Sequence, residues 1–411
     1  MKRAVPGAIL IAVSLIGSLV IGLPAEAQGA TKAQLVPSTQ VPGPVPTQYQ
    51  TEYAAVQDEV QSFSSSVGRE PKHPITKFGT ELLTANGNIG AGLLSPGAIS
   101  GVERELDAFE ALGIQGVTVD VSFPLLISST PNSAGYLAFY EQVARQIRQR
   151  HMVFSVEENP IFSGTPLTAL KISYAGLTLD SYATEERQEA QVIIDQLKPD
   201  YLSLLTEPDT YTDTLHLTLD TPDTAVNVVQ KELSGLKRGH TQVGAGTGTW
   251  SSPGIDQALV RRTSIDYLDV HVYPFGPSAI ANLSSDVRAA KAAAKPLVMD
   301  ETWLNKPTSG EGLGPAGAPE NLKVKSYSFW EPLDEQYVSA MARYVRSAGF
   351  SYVAFFDGAR AFFGYLDWSP ALEAASYQSF SAQYNAVVSQ NMATLTVSGT
   401  GLAIHRTLTK G

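Results

Sequence analysis

Ala190-Gln-Val-Ile-Ile-Asp-Gln-Leu-Lys-Pro-Asp-Tyr201-Leu-Ser-Leu-Leu-Thr-Glu-Pro208 contains one complete unit of the fold. Ala190, Ile193, Ile194 and Leu197 recur at helical spacing. Lys198-Pro199 stops the helix, because proline has no N–H to donate and disfavours helical geometry in the residue before it. Tyr201-Leu-Ser-Leu-Leu205 follows at once, short and apolar, and reads as a buried strand. Helices handing over to buried strands imply a parallel sheet covered by helices.

The unit recurs in both directions. Upstream, Phe78–Leu83 predicts a first strand and Ile99–Leu112 a helix, with Val102, Leu106, Phe109 and Leu112 on one face. Gly116–Phe123 is a second strand, Tyr136 to Ile147 a helix and His151–Val156 a third strand. Downstream, Val226, Val229 and Leu233 mark a helix before the strand Gln242–Thr247. Ile255–Val260 precedes the strand Tyr267–Tyr273, and Ile280–Lys295 precedes Pro296–Met299. Tyr337, Met341, Tyr344 and Val345 define a helix before the last strand, Tyr352–Phe356, and a final helix runs from Ala371 to Val388. Eight strand–helix repeats predict an α/β fold, a (β/α)8 TIM barrel forming a single catalytic domain over residues 74–390. A doubly wound open sheet often carries a glycine-rich phosphate loop, and no G-x-G-x-x-G or Walker pattern occurs.

The ends read differently. Met1-Lys2-Arg3, an apolar run from Ala8 to Pro24 and Ala25-Glu26-Ala27 predict a cleavable secretory signal over residues 1–27. The run is shorter than the ~20 residues of a spanning helix, so no membrane contact is expected after cleavage. Residues 28–73 read as a Pro/Gln/Thr-rich tether with a short helix from Tyr49 to Phe63, and 391–411 as a C-terminal tail. The protein is expected to be secreted or periplasmic. In 411 residues, 29 Lys+Arg stand against 40 Asp+Glu, a net charge of −11 that disfavours nucleic acid as a partner. With no cysteine and six histidines, disulfides, thiolate metal sites and cysteine nucleophiles are excluded. No metal and no cofactor are expected.

In a (β/α)8 barrel, chemistry sits where strands end at their C-terminal face. Glu207 follows the fourth strand in Thr206-Glu207-Pro208, and Glu301 the seventh in Asp300-Glu301-Thr302. Strand alternation predicts that Asp300 points away from the mouth. Two carboxyl groups facing each other can cleave a glycosidic bond: one protonates the leaving oxygen, the other attacks the anomeric carbon or activates water there.

These residues resemble the clan A glycoside hydrolases, in which an Asn-Glu-Pro-like motif after strand four carries the acid/base and a glutamate ending strand seven is the nucleophile. Asp269-Val-His271-Val-Tyr273-Pro274-Phe275 is similar to that clan's strand-six segment, whose tyrosine touches the nucleophile. The resemblance implies a retaining hydrolase of β-linked poly- or oligosaccharide, with Glu207 and Glu301 catalytic. Thr206 stands where the clan usually has the asparagine that bonds the sugar 2-hydroxyl, and Phe355-Phe356-Asp357 where strand eight usually ends in tryptophan. His271 and Tyr273 share one strand face, and their alternative is a hydrogen-bonded core pair. Glu157 and Glu158 after strand three either bind sugar hydroxyls or pair with an arginine. Trp250, Trp303 and Trp330 are candidates for stacking on sugar faces, with core packing as the alternative. Thr206, His271, Tyr273, Trp303, Glu157, Trp250 and Phe356 are the expected substrate contacts. Ser309–Pro319 reads as a flexible loop over the site. A non-catalytic carbohydrate-binding barrel is the competing function. A metal-dependent barrel hydrolase is disfavoured, because the first strand has no His-x-His pair.

Overall fold

The structure, a computed structural model, describes residues 34–68, 75–165, 167–273, 277–306 and 323–409. Eight parallel strands close into a barrel: β1 (Lys77–Glu81), β2 (Gly116–Asp120), β3 (Val153–Glu157), β4 (Tyr201–Ser203), β5 (Gln242–Gly248), β6 (Tyr267–His271), β7 (Leu297–Thr302) and β8 (Tyr352–Phe355). β8 pairs with β1 from Lys77↔Tyr352 to Thr80↔Phe355 and seals the ring. This is the (β/α)8 architecture that the strand–helix repeats predict. The helix Ala98–Leu112 buries Val102, Leu106, Phe109 and Leu112. It ends at Gly113, whose φ of +89° lets its N–H turn back to Phe109 and Glu110 at no Cβ cost.

The floor of the barrel is filled by size alternation. Tyr201, Tyr267 and Tyr352 project inward, and glycines on neighbouring strands make room for two of their rings. A Cβ at Gly79 would lie 2.1 Å from the Tyr352 hydroxyl, and one at Gly244 would lie 2.2 Å from the Tyr267 ring. The tyrosine plug closes the N-terminal end, so the open end is the face where the strands finish.

Three expectations change. The Pro-rich segment is not a free tether from residue 34 onward. Val36–Pro37 pairs in parallel with Thr396–Val397, and Gln40, Gly43 and Tyr49 bond to Asp367, Ser328 and Glu373. Its helix, Gln50–Ser66, packs on the helix Glu331–Ala348. The tail is likewise integrated: Gly399–Thr409 is a helix that also packs on Glu331–Ala348. The final predicted helix is two, Pro370–Ala374 and Tyr377–Thr394, divided at Ala375-Ser376. The signal-like residues 1–27 and the loop Ser309–Pro319 lie outside the described residues. No helix among the described residues is long and apolar enough to cross a membrane.

Candidate active site

Glu207 and Glu301 meet at the open end of the barrel. Leu204 and Leu205 carry β4 on into the core, and Pro208 begins the helix Pro208–Leu215 immediately after Glu207. This sharp strand-to-helix change leaves the Glu207 carboxylate at the mouth, where the Thr210 hydroxyl donates to Oε2 at 2.7 Å. Across the barrel, the β7–β8 register shifts between Met299 and Thr302. Such an irregularity re-aims side chains, and here Asp300 turns into the barrel interior without lining the cavity at the mouth. Asp300 points inward, accepting hydrogen bonds from Ser203 (2.9 Å) and Thr118 (3.3 Å), while the next residue, Glu301, faces the mouth. Burial and the neighbouring Asp269 raise the Asp300 pKa to about 8, so its carboxyl is neutral at pH 7.

His271 and Tyr273 tie the two glutamates together. Tyr273 Oη lies within hydrogen-bond distance of Glu207 Oε1 and 2.7 Å from Glu301 Oε2. Glu207, His271 and Glu301 each bring a polar atom within 4.8 Å of the others. Burial and both carboxylates push the Tyr273 phenol well above its ordinary value, so it keeps its proton. One phenolic proton cannot be given to two carboxylates, so one carboxyl of the pair must itself carry a proton. Burial raises Glu301 to about 8, opposed by the His271 charge and reinforced by Asp120 and Glu207. Burial alone would discharge His271, but Glu157 and Asp269 outweigh it and raise its pKa well above 6.5. The imidazolium donates Nε2–H to Glu157 (2.6 Å) and Nδ1–H to Glu207 (3.1 Å). Tyr273 Oη therefore bridges the pair, a donor to whichever of the two carboxyl groups is ionised, and His271 secures Glu207 from the other side.

A cavity of about 380 Å³ opens beside this chain, lined by Thr206, Glu157, Phe356, Asp120, Asn159, Phe162 and Tyr211 in addition to the four residues above. Thr206, Glu157 and Phe356 thus reach the site predicted for them. Glu157 pairs with His271 and not with an arginine. Trp250 and Trp303 flank Tyr273, with ring centroids 4.9 and 6.1 Å from it. Neither lines the small cavity; Trp250 is anchored by donating Nε1–H to Asp209 at 2.7 Å. Phe356 lines both this cavity and a larger neighbouring one of about 860 Å³, which Trp303 also lines. There the carboxylates are already committed, Asp334 to Lys306 (2.7 Å) and Asp357 to Arg360 (3.1 Å). The chemistry belongs to the smaller cavity. Trp330 is core: fully buried, stacked on Tyr53 and donating to the Val324 carbonyl. Glu158 faces the helix layer, where it is buried near Glu186, Glu189 and Glu232.

Sequence reasoning missed Glu81, Asp120 and Asn86. Glu81 ends β1 and Asp120 ends β2, and Asn86 Nδ2 donates to both. Three overlapping groups have ligand atoms close enough for a metal: Glu157–Asp269–His271, Glu207–His271–Glu301 and Glu81–Asp120–Glu301. In the first two, both His271 nitrogens lie within hydrogen-bond distance of carboxylates, Nδ1 of Glu207 and Nε2 of Glu157.

No family model and no curated protein matches the chain. Among solved structures, it is similar to GH5_18 from Bifidobacterium longum subsp. longum ATCC 55813, at 15% identity and TM-score 0.53 over 82% of this chain and 79% of that one. GH5_18 from Bifidobacterium longum subsp. infantis gives 11% identity and TM-score 0.53 over 81% and 78%. A GH5_18 variant from Streptomyces cattleya in complex with Manb1-4GlcNAc gives 14% and 0.51 over 82% and 80%. These neighbours are clan A glycoside hydrolases, and at such identities the likeness establishes that this chain shares their barrel fold.

Proposed function

We propose that the protein is a secreted glycoside hydrolase that cleaves β-glycosidic bonds with retention of configuration. The observation that carries this reading is the single Tyr273 hydroxyl in contact with both Glu207 and Glu301. Hydrogen-bond contacts through one atom, with carboxyl oxygens within 4.8 Å of each other, keep the two groups close, and a short separation, about 5–5.5 Å, is what retention requires. The fold shared with GH5_18 structures, one holding Manb1-4GlcNAc, supports a carbohydrate occupant.

In this mechanism Glu301 attacks the anomeric carbon as a carboxylate, while Glu207 gives its proton to the departing oxygen. Water then enters: Glu207 takes its proton, and the hydroxide equivalent displaces Glu301 from the sugar. The empty site stores the shared proton on Glu301, so substrate must move it to Glu207. Tyr273 is the hydrogen-bonded route, since it touches both. His271 fixes Glu207 through Nδ1. No step calls for a cofactor.

Time-resolved NMR of the first product anomer tests the reading: a β-product forming before mutarotation supports retention, and an α-product overturns it. Glu301→Gln should abolish turnover on the best substrate. Thr206 in place of asparagine, with its hydroxyl near Tyr211 (3.3 Å), favours the second reading, a carbohydrate-binding barrel without turnover. Binding with no hydrolysis on any member of a β-glycoside and glycan panel would establish that reading instead. Secretion rests on residues 1–27, and N-terminal sequencing of the exported protein should begin at Gln28.

A further inference from the structure

The smaller cavity holds more carboxyl groups than two-carboxylate chemistry uses. Asp120, Glu157, Glu207 and Glu301 line it, and among the described residues its only basic lining group is His271. Behind them stand Glu81 and Asp269, fully buried. Glu157 and Asp269 face the imidazolium at 2.6 and 3.4 Å, although Glu157 Oε2 has no hydrogen-bond partner among the described residues, and Glu207 and Glu301 serve the reaction. Glu81 and Asp120 are left over. Among the described residues, the Asn86 amide is the side-chain donor bonded to both, at Oε1 of Glu81 and Oδ2 of Asp120. Among the described residues, Glu81 Oε2 and Asp120 Oδ1 have no donor, although Asp120 is only 3% exposed and lines the cavity. Glu81, Asp120 and Glu301 bring oxygens within 4.8 Å of one another.

Burying carboxyl groups costs several kcal/mol each unless a partner compensates them. A sugar hydroxyl can donate one hydrogen bond but carries no charge. A primary ammonium carries three donors and a charge, and its charge-assisted bonds to carboxylate are the stronger kind. We propose that the sugar subsite beside Glu301 is built for an amino sugar, whose ammonium group is held by Asp120 with Glu81 behind it. This rests on the glycosidase reading and names its substrate class. In the empty site a proton shared between Glu81 and Asp120 occupies the place of the ammonium, and binding exchanges that proton for the ligand's charge. Asp120 and Glu81 are specificity residues in this scheme; bond cleavage remains with Glu207 and Glu301.

The test is titration calorimetry at pH 6 on the full chain carrying Glu207→Gln, which leaves Asp120, Glu81 and Glu301 in place. The probes are β-glycosides matched in configuration (gluco, galacto and manno) that carry amino, acetamido or hydroxyl groups at carbon 2. In at least one configuration the amino ligand should bind at least tenfold tighter than both neutral counterparts. Adding Asp120→Asn should lower that ratio at least fivefold, and Glu81→Gln gives a second variant should the first fail to fold. With the parent protein alone, the preference should fall as the pH is raised past about 8, where an amine of this kind loses its proton. Equal or better binding of neutral ligands in every configuration overturns the proposal and points to the proton-sharing pair as a donor to ordinary hydroxyls. So does a preference unaffected by both pH and Asp120→Asn. The two readings separate cleanly: hydrolysis of neutral glycosides without amino preference removes this inference alone, whereas binding without hydrolysis by the wild type removes the glycosidase and leaves it standing.

Discussion

Replacing Tyr273 with phenylalanine removes one oxygen from between Glu207 and Glu301 and leaves the ring wedged between Trp250 and Trp303, 4.9 and 6.1 Å away. The lost hydroxyl bridges Glu207 and Glu301, donating to whichever is ionised and accepting from whichever is protonated. At roughly 1.5–3 kcal/mol for the first and about 1 for the second, the sum is around 3 kcal/mol. If most of that is expressed when the proton crosses to Glu207, kcat/KM falls on the order of a hundredfold. The pH profile is the sharper readout. Tyr273 lowers the Glu301 pKa, which burial has raised to about 8, so Tyr273→Phe raises it further. Glu301 must be ionised to attack. The acidic limb of the kcat/KM profile, which reports the free enzyme, therefore moves to higher pH, by about half a unit or more. A melting curve recorded in parallel should stay within a few degrees of wild type, since the aromatic packing survives. Near-wild-type kcat/KM, or an acidic limb that stays put or moves down, would refute the claim that Tyr273 relays the proton.

Three further outcomes are expected. Glu207→Gln should reduce kcat by about 10²–10⁴, the usual share of a general acid, with the loss smallest on aryl glycosides whose leaving group needs no proton; an equal loss on all leaving groups argues against this role. Glu232 is fully buried beside Glu186 and its pKa is raised from 4.5 to about 7. The folded state then holds that proton more tightly than the unfolded one, so stability is greatest below pH 4.5 and declines as the pH rises through 7. Roughly 3 kcal/mol is involved, and calorimetric Tm should be lower at pH 8 than at pH 5, with Glu232→Gln flattening the difference. A Tm that rises toward pH 8 contradicts the assignment. Gly79→Ala places a Cβ 2.1 Å from the Tyr352 hydroxyl and 2.7 Å from the Gly116 carbonyl, which should cost about 1–3 kcal/mol in urea unfolding; Tyr352→Phe in the same chain should recover part of it.

The barrel was legible because each strand–helix boundary carries local punctuation, such as Lys198-Pro199, and because buried strands are short runs of apolar residues. Glu207 and Glu301 were legible for the same reason, as charges set just past such runs. The period of two placed His271 and Tyr273 on one face, and β6 with its extension holds them there. What was hidden is equally specific. Apolar residues continue beyond β1 through Leu82 and Leu83 and beyond β2 through Val121 and Phe123, so the strands looked longer than they are. That error concealed Glu81 and Asp120 as strand-end acids, although each is the last residue of its strand. The irregularity that turns both Asp300 and Glu301 inward has no signature in residue pattern. Trp330 looked like Trp303 because tryptophan serves cores and binding faces alike. The pairing of Val36–Pro37 with Thr396–Val397 joins two stretches at opposite ends of the chain, with nothing local to announce it.

Burial of carboxyl groups gives this barrel two opposed responses to pH. Outside the strands, Glu158, Glu186, Glu189 and Glu232 are buried with no basic side chain bonded to them among the described residues, and burial raises the pKa of each. Raising the pH strips protons from this cluster and weakens the fold. Inside the mouth, raising the pH strips the proton that blocks Glu301 and frees the proposed nucleophile. Activity per folded molecule should therefore climb through a range in which stability is already falling. The two trends are separable because they have different owners: Glu232→Gln should extend stability to higher pH without moving the kinetic acid limb, whereas Tyr273→Phe should move that limb without changing the slope of Tm with pH. If either substitution moved both, the site and the helix-layer acids would be one coupled titrating system. Glu158 is the residue through which that coupling would run, since it neighbours Glu157 in sequence and its carbonyl accepts the Tyr211 hydroxyl at the edge of the cavity.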